Sequence, residues 1–490
     1  MRRELTSLLC FAAVACSGSG PSPVSSLPDG GTSPDATTGV DASPGADASS
    51  GADASSGVDT GPGADSSSAL DSSAARDASG PDASDGGVAF KLALSDASVV
   101  STYAQREALG FKFGYVDGVM GAVNGGDAGY VFYASGHTQA ADAGTCTGAN
   151  ATPDTQGAYR IGIATDVITD NFGCHALVQN AGDETPDGGV LGVYDRDYVG
   201  GGPVLALDNG TGGHALALLY HAEFHWGPTC SGGAPCFYGT LGMAVSVDGG
   251  ATFTNLGEII QPAISRPDWI SSNPTASMSI GAGPFVLGDA TGAPVDPATA
   301  DPSTTYVYVF FDDFDTTNAP PCANAQCLTV ARASLVDVIA AAFNPSTANA
   351  STLFFKYHVG DPGGPFVSPA ASGSANDATA GGHSTYVLAD AFEASTIFDR
   401  TIGQVILAYR TGGATAISLR TSSNVTSWPA AGLSTASLEE EAGVRYPSVI
   451  GELPNAEIGA TEPYLFYTNG VTTWPQSTFM SRRIVVTLMP

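Results

Sequence analysis

Residues 214–225 read His214-Ala215-Leu216-Ala217-Leu218-Leu219-Tyr220-His221-Ala222-Glu223-Phe224-His225, an apolar run that ends in three ionisable side chains. Successive side chains of a β-strand point to opposite faces, so His221, Glu223 and His225 are predicted to share one face. Tyr220, Ala222 and Phe224 would share the other face. The segment therefore predicts a buried β-strand that leads into a polar site.

The same pattern, an apolar run that ends in an aromatic residue, occurs five times along the chain. The five runs are 130–133, 217–220, 309–311, 406–409 and 464–467. Each is followed by a second apolar segment, at 161–164, 242–245, 329–332, 417–420 and 483–486. Five repeats of a small antiparallel sheet predict an all-β fold, a five-bladed β-propeller over residues 89–490. A first strand is expected at 89–94. One helix is expected at 334–343, where Ser334 and Asp337 form a start like a capping box.

The first 88 residues differ in composition from the rest of the chain. Residues 1–16 have a basic start and a short apolar stretch, which predicts an export signal that is too short to span a bilayer. Ala13-Val14-Ala15-Cys16 resembles a bacterial lipobox. The resemblance implies lipidation of Cys16 and a bacterial outer-membrane or cell-surface lipoprotein, with plain secretion as the alternative. Residues 17–88 repeat Asp every six residues and lack large apolar side chains, so they predict a disordered acidic tether.

The formal net charge of the 490 residues is −31. A surface this acidic repels phosphate backbones, so nucleic-acid binding is not expected. Simple colloidal solubility explains most of the charge without any partner. No segment beyond the export signal is apolar enough to cross a membrane.

The cysteines that follow the export signal are even in number, which in an exported protein predicts three disulfides. They are Cys146, Cys174, Cys230, Cys236, Cys322 and Cys327. The short spacings 230–236 and 322–327 suggest two local disulfides, which leaves 146 and 174 as the third pair. A zinc site is less favoured, because neither short spacing is the usual two-residue knuckle.

Several motifs carry a resemblance to known propellers. Ser246-Val247-Asp248-Gly249-Gly250-Ala251-Thr252-Phe253 resembles the Asp-box, also called the BNR repeat, of sialidase-like propellers, in which the Asp has a structural role in a tight turn. Tyr115-Val116-Asp117-Gly118, the turn at 421–428 and the segments 446–449 and 464–468 resemble the five-bladed glycoside hydrolases of the arabinanase-like and invertase-like group. This resemblance implies a five-bladed propeller and hydrolysis of glycosidic bonds.

Glycoside cleavage requires two carboxyl groups. The preferred assignment makes Glu223 the general acid, with a pKa raised by apolar surroundings, and Asp117 the base or nucleophile. Asp312 would orient one of them. Alternatively these residues are solvated strand-end carboxylates or turn caps, which is the favoured interpretation of Asp313 and Asp315.

Alignment of the five repeats predicts a layer around the central axis that contains Ala134, His221, Asp312, Arg410 and Thr468. The expected substrate-binding residues are His221, His225, Arg410, Arg445 and Trp226. The two histidines are four positions apart, about 13 Å on a straight strand, so they cannot bind one ion. No cofactor is expected, and a structural or central calcium ion remains an alternative. His383 and Trp269 are further candidates for the site.

These features predict an exported glycoside hydrolase-like protein that acts on an extracellular polysaccharide. The alternative is a non-catalytic surface β-propeller that binds glycan or protein. A carbohydrate substrate or ligand is expected in either case, and the only expected membrane contact is the lipid anchor.

Overall fold

The computed structural model describes parts of residues 89–490. The chain divides into two units, and all described residues belong to the second, Arg76–Pro490. The described residues are 89–102, 104, 113–124, 130–137, 159–164, 172–173, 194, 198–200, 202–229, 235–250, 253–272, 277–281, 283–313, 327–371, 381–411, 416–429, 443–451, 459–469 and 478–490.

Twenty-four strands of these residues form five separate sheets. Sheet 5 contains the first two strands, β1 (Phe90–Leu94) and β2 (Ser98–Ser101). Sheet 1 is β3 (Phe113–Asn124), β4 (Tyr130–His137), β5 (Tyr159–Ala164) and β6 (Phe172–Gly173), in that order. Sheet 2 contains β7 (Tyr198–Gly200), β8 (Val204–Asp208), β9 (His214–Thr229), β10 (Pro235–Ser246) and β11 (Thr254–Ile260). In sheet 2, β7 and β8 both pair with β9.

The remaining strands complete sheets 3, 4 and 5. Sheet 3 is β12 (Phe285–Gly288), β13 (Tyr306–Asp313), β14 (Cys327–Ser334), β15 (Phe355–Lys356) and β16 (Ser368–Pro369), with β17 (Leu388–Ala389) paired to β14. Sheet 4 is β18 (Phe392–Asp399), β19 (Gln404–Arg410) and β20 (Ile417–Ser422), with β22 (Gly459–Ala460) beside β18. Sheet 5 adds β21 (Arg445–Ile450), β23 (Tyr464–Asn469) and β24 (Thr478–Leu488).

Neighbouring sheets pack face to face through apolar clusters. Tyr133 of sheet 1 lies in one cluster with Leu218 of sheet 2, and Leu219 of the same strand lies in another with Phe311 of sheet 3. Sheets 3 and 4 share a cluster, and sheets 4 and 5 share another. The alternation of side chains along each second strand therefore supplies apolar contacts to the sheets on both sides.

Inner strands of the sheets line one narrow central space. Its lining takes residues from β3, β12, β18 and β21 and from the start of β8. Hydroxyl groups connect these neighbours, since Ser448 Oγ accepts the N–H of Met120 and Ser395 Oγ accepts the N–H of Val449, both at 2.8 Å. Sheets arranged around one axis define a β-propeller, so the predicted all-β propeller fold is confirmed. Sheets 2 to 5 are four blades for which most side chains are described. The predicted number of five blades is reached only if sheet 1 is counted as a blade as well.

The five predicted strand pairs are antiparallel neighbours in the structure. The first member of each pair is the second strand of its sheet, however, and not the innermost one. In sheet 2, β7 and β8 lie between β9 and the axis. The predicted layer of Ala134, His221, Asp312, Arg410 and Thr468 around the axis is therefore wrong by one strand, because each sheet has a further strand that precedes the aromatic run.

The turn after β10 is built on a hydroxyl group and two glycines. Ser246 Oγ donates to Asp248 Oδ1 at 2.6 Å and accepts the N–H of Gly250 at 2.8 Å. Gly249 and Gly250 have backbone φ angles of 75° and 89°, which residues other than glycine rarely adopt. Phe253 then packs edge-on against Tyr133 of sheet 1. These contacts are local, and the identification of the turn as an Asp-box stays a prediction.

Two α-helices are present in the described residues, α1 (Arg266–Ser271) and α2 (Leu335–Phe343). The second helix lies where the sequence predicted it. Ser334 occupies its N-cap position but makes no side-chain capping hydrogen bond, so the expected capping-box start is not formed. Among the described residues, no helix has the length and apolar character needed to span a membrane.

The strand β1 closes the ring, because it pairs with the last strand, β24, from Phe90 opposite Leu488 to Leu94 opposite Ile484. Leu92 is buried at 3% exposure, whereas Lys91 is exposed. We expect Leu92→Ala to lower the free energy of unfolding by about 2–5 kcal/mol, as for other buried leucines. Chemical denaturation of the full chain measures this loss. Lys91→Ala is the matched control, and an equal loss in both variants would contradict a buried closing strand.

Candidate functional site

The polar end of β9 has the alternation that the sequence predicted. His221, Glu223 and His225 are partly exposed, whereas Tyr220, Ala222 and Phe224 are buried. The three ionisable residues continue the face that carries Leu219, which packs towards sheet 3. The site therefore begins where the apolar contact between sheets 2 and 3 ends.

Glu223 is held between two imidazoles. Its Oε1 lies 3.1 Å from His221 Nε2, and its Oε2 lies 2.6 Å from His225 Nε2. His221 Nδ1 lies 2.8 Å from the Ile280 carbonyl oxygen, which can only accept, so Nδ1 carries a proton. A hydrogen bond between His221 Nε2 and Glu223 then requires a further proton that the two side chains share.

The pKa of Glu223 is lowered from its ordinary value of 4.5. Burial raises this pKa, but the hydrogen bonds and positive charge of His221 and His225 lower it further than burial raises it. The expected raised pKa of Glu223 is therefore wrong. The apolar surroundings were predicted correctly, but two imidazoles on the same strand face outweigh them.

The absence of a side chain at Gly239 makes room for the imidazole of His221. Gly239 lies opposite Glu223 on β10, and a Cβ at Gly239 would lie 2.7 Å from His221 Cε1. The imidazole thus crosses β10 to reach Ile280. Residues 277–281 form the next extended segment, in which Ile280 N donates to Gly239 O at 3.0 Å. On its other side this segment meets the end of β13, since Gly281 N donates to Asp312 O at 2.9 Å.

Asp312 is the last but one residue of β13, and its environment is opposite to that of Glu223. It is 3% exposed, and its pKa is raised well above 3.8, first by burial and also by the nearby carboxylates of Glu393 and Asp313. Its Oδ2 accepts the backbone N–H of Glu393 at 2.8 Å. Its Oδ1 is buried and has no hydrogen-bond partner among the described residues. Burial and the neighbouring carboxylates therefore favour the protonated form of Asp312.

One short segment joins the two carboxyl groups. His221 contacts Ile280, and an added Cβ on the adjacent Gly281 would lie 2.4 Å from Asp312 Oδ2. Glu223 and Asp312 are thus linked through one histidine and two consecutive residues. The pKa shift of Glu223 is opposite to the one expected, and the catalytic assignment of Glu223, Asp117 and Asp312 stays a prediction.

Glu393 is a candidate that the sequence analysis missed. It lies at the start of β18, and its backbone φ is 49°. This left-handed conformation is unusual for residues other than glycine and asparagine. Its Oε1 accepts from Arg410 Nη1 at 2.8 Å, and its Oε2 accepts the N–H of Tyr446 at 3.2 Å. Tyr446 has a left-handed φ of 53°. The sequence analysis took the aromatic runs for the innermost strands and therefore overlooked the strand that precedes each run. Glu393 lies on one of these strands, β18.

Arg410 lies near Asp312, as the sequence suggested, but it is one strand away from the axis. Its guanidinium lies over the Phe392 ring, 4.6 Å from the centroid, and pairs with Glu393. Arg410 Nε is buried and has no hydrogen-bond partner among the described residues. Arg445 begins β21, next to Tyr446.

Other candidates are separate from this site or lie outside the described residues. Asp313 is fully buried, accepts from Ser384 Oγ and lies 3.9 Å from Lys356 Nζ, so it is neither solvated nor a turn cap. His383 contacts the His358 ring. Trp269 lies on α1. The side chains of Asp117 and Trp226, and all of Asp315, lie outside the described residues.

Cys236 and Cys327 are both disulfide-bonded. Cys16, Cys146, Cys174, Cys230 and Cys322 lie outside the described residues, so the disulfide pairing and the lipidation stay predictions. Within the part of the chain that the structure describes, no three His, Cys, Asp or Glu side chains are arranged to hold a metal ion.

Comparison with known proteins gives similarity to solved structures alone, since neither a protein-family model nor a curated protein matches the chain. A family 117 glycoside hydrolase of Zobellia galactanivorans has 11% identity and a TM-score of 0.38, with 82% of this chain and 91% of that chain covered. An α-L-arabinanase mutant of Cellvibrio cellulosa has 11% identity and a TM-score of 0.36, with 75% and 91% covered. An exo-β-1,3-galactanase of Phanerochaete chrysosporium, in a structure with galactose, has 11% identity and a TM-score of 0.35, with 74% and 59% covered. Similarity at this level assigns no residue and no activity.

The opposite pKa shifts of Glu223 and Asp312 have opposite effects on stability. A lowered carboxyl pKa contributes stability above its unfolded value, and that stability is lost as pH falls through the folded pKa. Glu223→Gln should therefore destabilise the protein at pH 7, and the difference from the wild type should shrink as pH falls below 4.5.

A raised carboxyl pKa acts in the reverse sense, because it destabilises the fold progressively as pH rises above 3.8. Asp312→Asn should lack this decline and become more stable relative to the wild type between pH 4 and pH 7. Urea denaturation across this pH range measures both effects. Parallel pH profiles for the wild type and both variants would contradict the two assignments.

Proposed function

We propose that the chain is an exported glycoside hydrolase-like protein that cleaves glycosidic bonds of an extracellular polysaccharide with two carboxyl groups. The observation that supports this proposal is the contrast between Glu223, whose pKa is lowered by two imidazoles, and Asp312, whose pKa is raised by burial. Carboxyl groups with pKa values pushed apart are typical of an acid and a base in one active site. Glu223 lies on β9 of sheet 2 and Asp312 on β13 of sheet 3. His221 contacts both Glu223 and Ile280, and the next residue, Gly281, lies against Asp312.

Both roles differ from the sequence-based assignment, in which Glu223 was the general acid, Asp117 the base or nucleophile, and Asp312 a residue that oriented one of them. Asp312, whose pKa is raised by burial, is the proposed general acid, which donates a proton to the leaving glycosidic oxygen as the C–O bond breaks. Glu223 is ionised, so it takes a proton from the attacking water or itself attacks the anomeric carbon. His221 and His225 keep Glu223 ionised and fix its orientation.

Arg410, Glu393 and Arg445 are proposed to bind the sugar beside these groups. The Nε of Arg410, which has no hydrogen-bond partner among the described residues, offers a donor for a sugar hydroxyl. Asp117 and Trp226 remain proposed contributors from β3 and β9.

The alternative is a non-catalytic propeller that binds glycan or protein at the cell surface. One observation favours it, because both oxygens of Glu223 are already hydrogen-bonded within the protein. A carboxylate held in this way can orient a ligand without reacting. Carbohydrate is the proposed ligand under both functions.

The remaining elements of the proposal concern architecture and location. We propose that sheet 1 is the fifth blade, since its strand β3 lines the central space with inner strands of the other sheets. We also propose export with a lipid anchor at Cys16 and a flexible tether at 17–88, with plain secretion as the alternative. Incorporation of labelled palmitate tests the anchor, and an unlabelled soluble product would contradict it.

Hydrolysis is tested with the full chain on a set of plant, algal and bacterial polysaccharides, with release of reducing sugar as the measurement. Asp312→Asn and Glu223→Gln should each lower kcat by about 10²–10⁴-fold, the usual contribution of a general acid or base. Glu462→Gln is the matched control, because Glu462 is an exposed carboxylate paired with Arg483 at 3.0 Å. Activity of Asp312→Asn within twofold of the wild type would remove Asp312 from its role. Binding of a polysaccharide without any hydrolysis would favour the alternative.

A further inference from the structure

Sheet 3 contains a lysine that is fully buried. Lys356 is the second residue of β15, and it is 0% exposed. Its Nζ donates to the carbonyl oxygen of Gln261 at 2.6 Å and lies 3.9 Å from Asp313 Oδ2. The nitrogen also lies 5.6 Å from the centroid of the Phe311 ring. A buried ammonium group is costly unless charged or polar partners compensate it, and these contacts supply such partners.

The contacts of Lys356 join two sheets. Gln261 follows directly after β11 of sheet 2, whereas Asp313 is the last residue of β13 in sheet 3. Ser384 Oγ also donates to Asp313 Oδ2, so the carboxylate has partners from β15 and from the segment that precedes β17. A buried ion pair is weak evidence for a gain in stability, because apolar side chains of similar volume often serve as well. The pair is better explained by the position that it gives to the end of β13.

The end of β13 determines where His221 finds its partner. The backbone of Asp313 forms an antiparallel bridge with Ile280. His221 Nδ1 lies 2.8 Å from the Ile280 carbonyl oxygen, and His221 Nε2 lies 3.1 Å from Glu223 Oε1. A continuous series of contacts therefore runs from the Lys356 ammonium group through β13 and Ile280 to the Glu223 carboxylate.

We propose that Lys356 is a positioning residue of the candidate site. It acts through the end of β13 on the Ile280 carbonyl that orients His221, and so on Glu223. Without the ammonium group, Asp313 is a buried carboxylate that has lost a cation, and such a group moves towards water or takes up a proton. Either change shifts the end of β13 and the Ile280 carbonyl with it. The hydrogen bond between His221 and Glu223 weakens as a result.

Nuclear magnetic resonance of the histidine Cε1–H groups in the native full chain tests this series of contacts. The chain has seven histidines, and the resonance that disappears in His221→Gln belongs to His221. This resonance should move in Lys356→Gln, which keeps a donor for the Gln261 carbonyl but removes the charge. Leu92→Ala is the matched control, because it removes buried contacts in the cluster between sheets 4 and 5 and should leave the His221 resonance in place.

A double-mutant cycle with Glu223→Gln measures the coupling to the carboxylate. In urea denaturation at pH 7, Glu223→Gln should raise the equilibrium constant for unfolding less in the Lys356→Gln background than in the wild type. The two factors should differ by about threefold or more, whereas substitutions at independent sites combine to within about twofold. Leu92→Ala should combine with Glu223→Gln in this independent manner.

A His221 resonance that does not move in Lys356→Gln would overturn the proposal, and so would independent effects of Lys356→Gln and Glu223→Gln. Failure of Lys356→Gln to fold would also count against it, since Lys356 would then be required for the fold and not for the site. Both measurements are made without a sugar substrate, so their result is separate from that of the hydrolysis experiment.

Discussion

Packing of each sheet against its two neighbours is the constraint on which the rest of the structure depends. A second strand such as β9 buries both of its faces, with Leu218 towards sheet 1 and Leu219 towards sheet 3. At the end of the strand the apolar contact stops, but the alternation of faces continues. Glu223 therefore follows the face of Leu219 into the space between two sheets. The position of the candidate site is thus a consequence of the way the sheets pack.

The two candidate carboxyl groups show that burial alone does not set ionisation. Both are largely removed from water, which favours the neutral form. Glu223 has an imidazole on each oxygen, and Asp312 has one backbone N–H and two carboxylate neighbours. The partners decide the outcome, because each charge or hydrogen bond close to a buried carboxyl acts in a medium that screens it weakly. Two buried carboxyl groups on neighbouring sheets can therefore differ in pKa through their contacts.

The sequence was sufficient for the fold class and for the strand pairs, because apolar alternation and repetition are local signals. It also identified His221, Glu223 and His225 as one face of a strand and Asp312 as a strand-end carboxyl. It could not show that Gly239 and Ile280 fix His221, since these contacts join residues 18 and 59 positions away. The pKa of Glu223 was mispredicted for the same reason: an apolar environment can be anticipated from sequence, but the net effect of its partners depends on their distances.

Glu393 could not be found from the sequence, because its position depends on contacts between sheets 3, 4 and 5. The left-handed φ of Glu393 and of Tyr446 is unfavourable for these side chains and persists only where surrounding contacts hold it. Those contacts are mutual, since the backbone N–H of Glu393 binds Asp312, its carboxylate binds Arg410, and the N–H of Tyr446 binds that carboxylate. These contacts hold one carboxylate and one guanidinium beside Asp312. This arrangement carries backbone strain and leaves Asp312 Oδ1 and Arg410 Nε without hydrogen-bond partners among the described residues. Both features fit the sugar-binding role proposed for these residues.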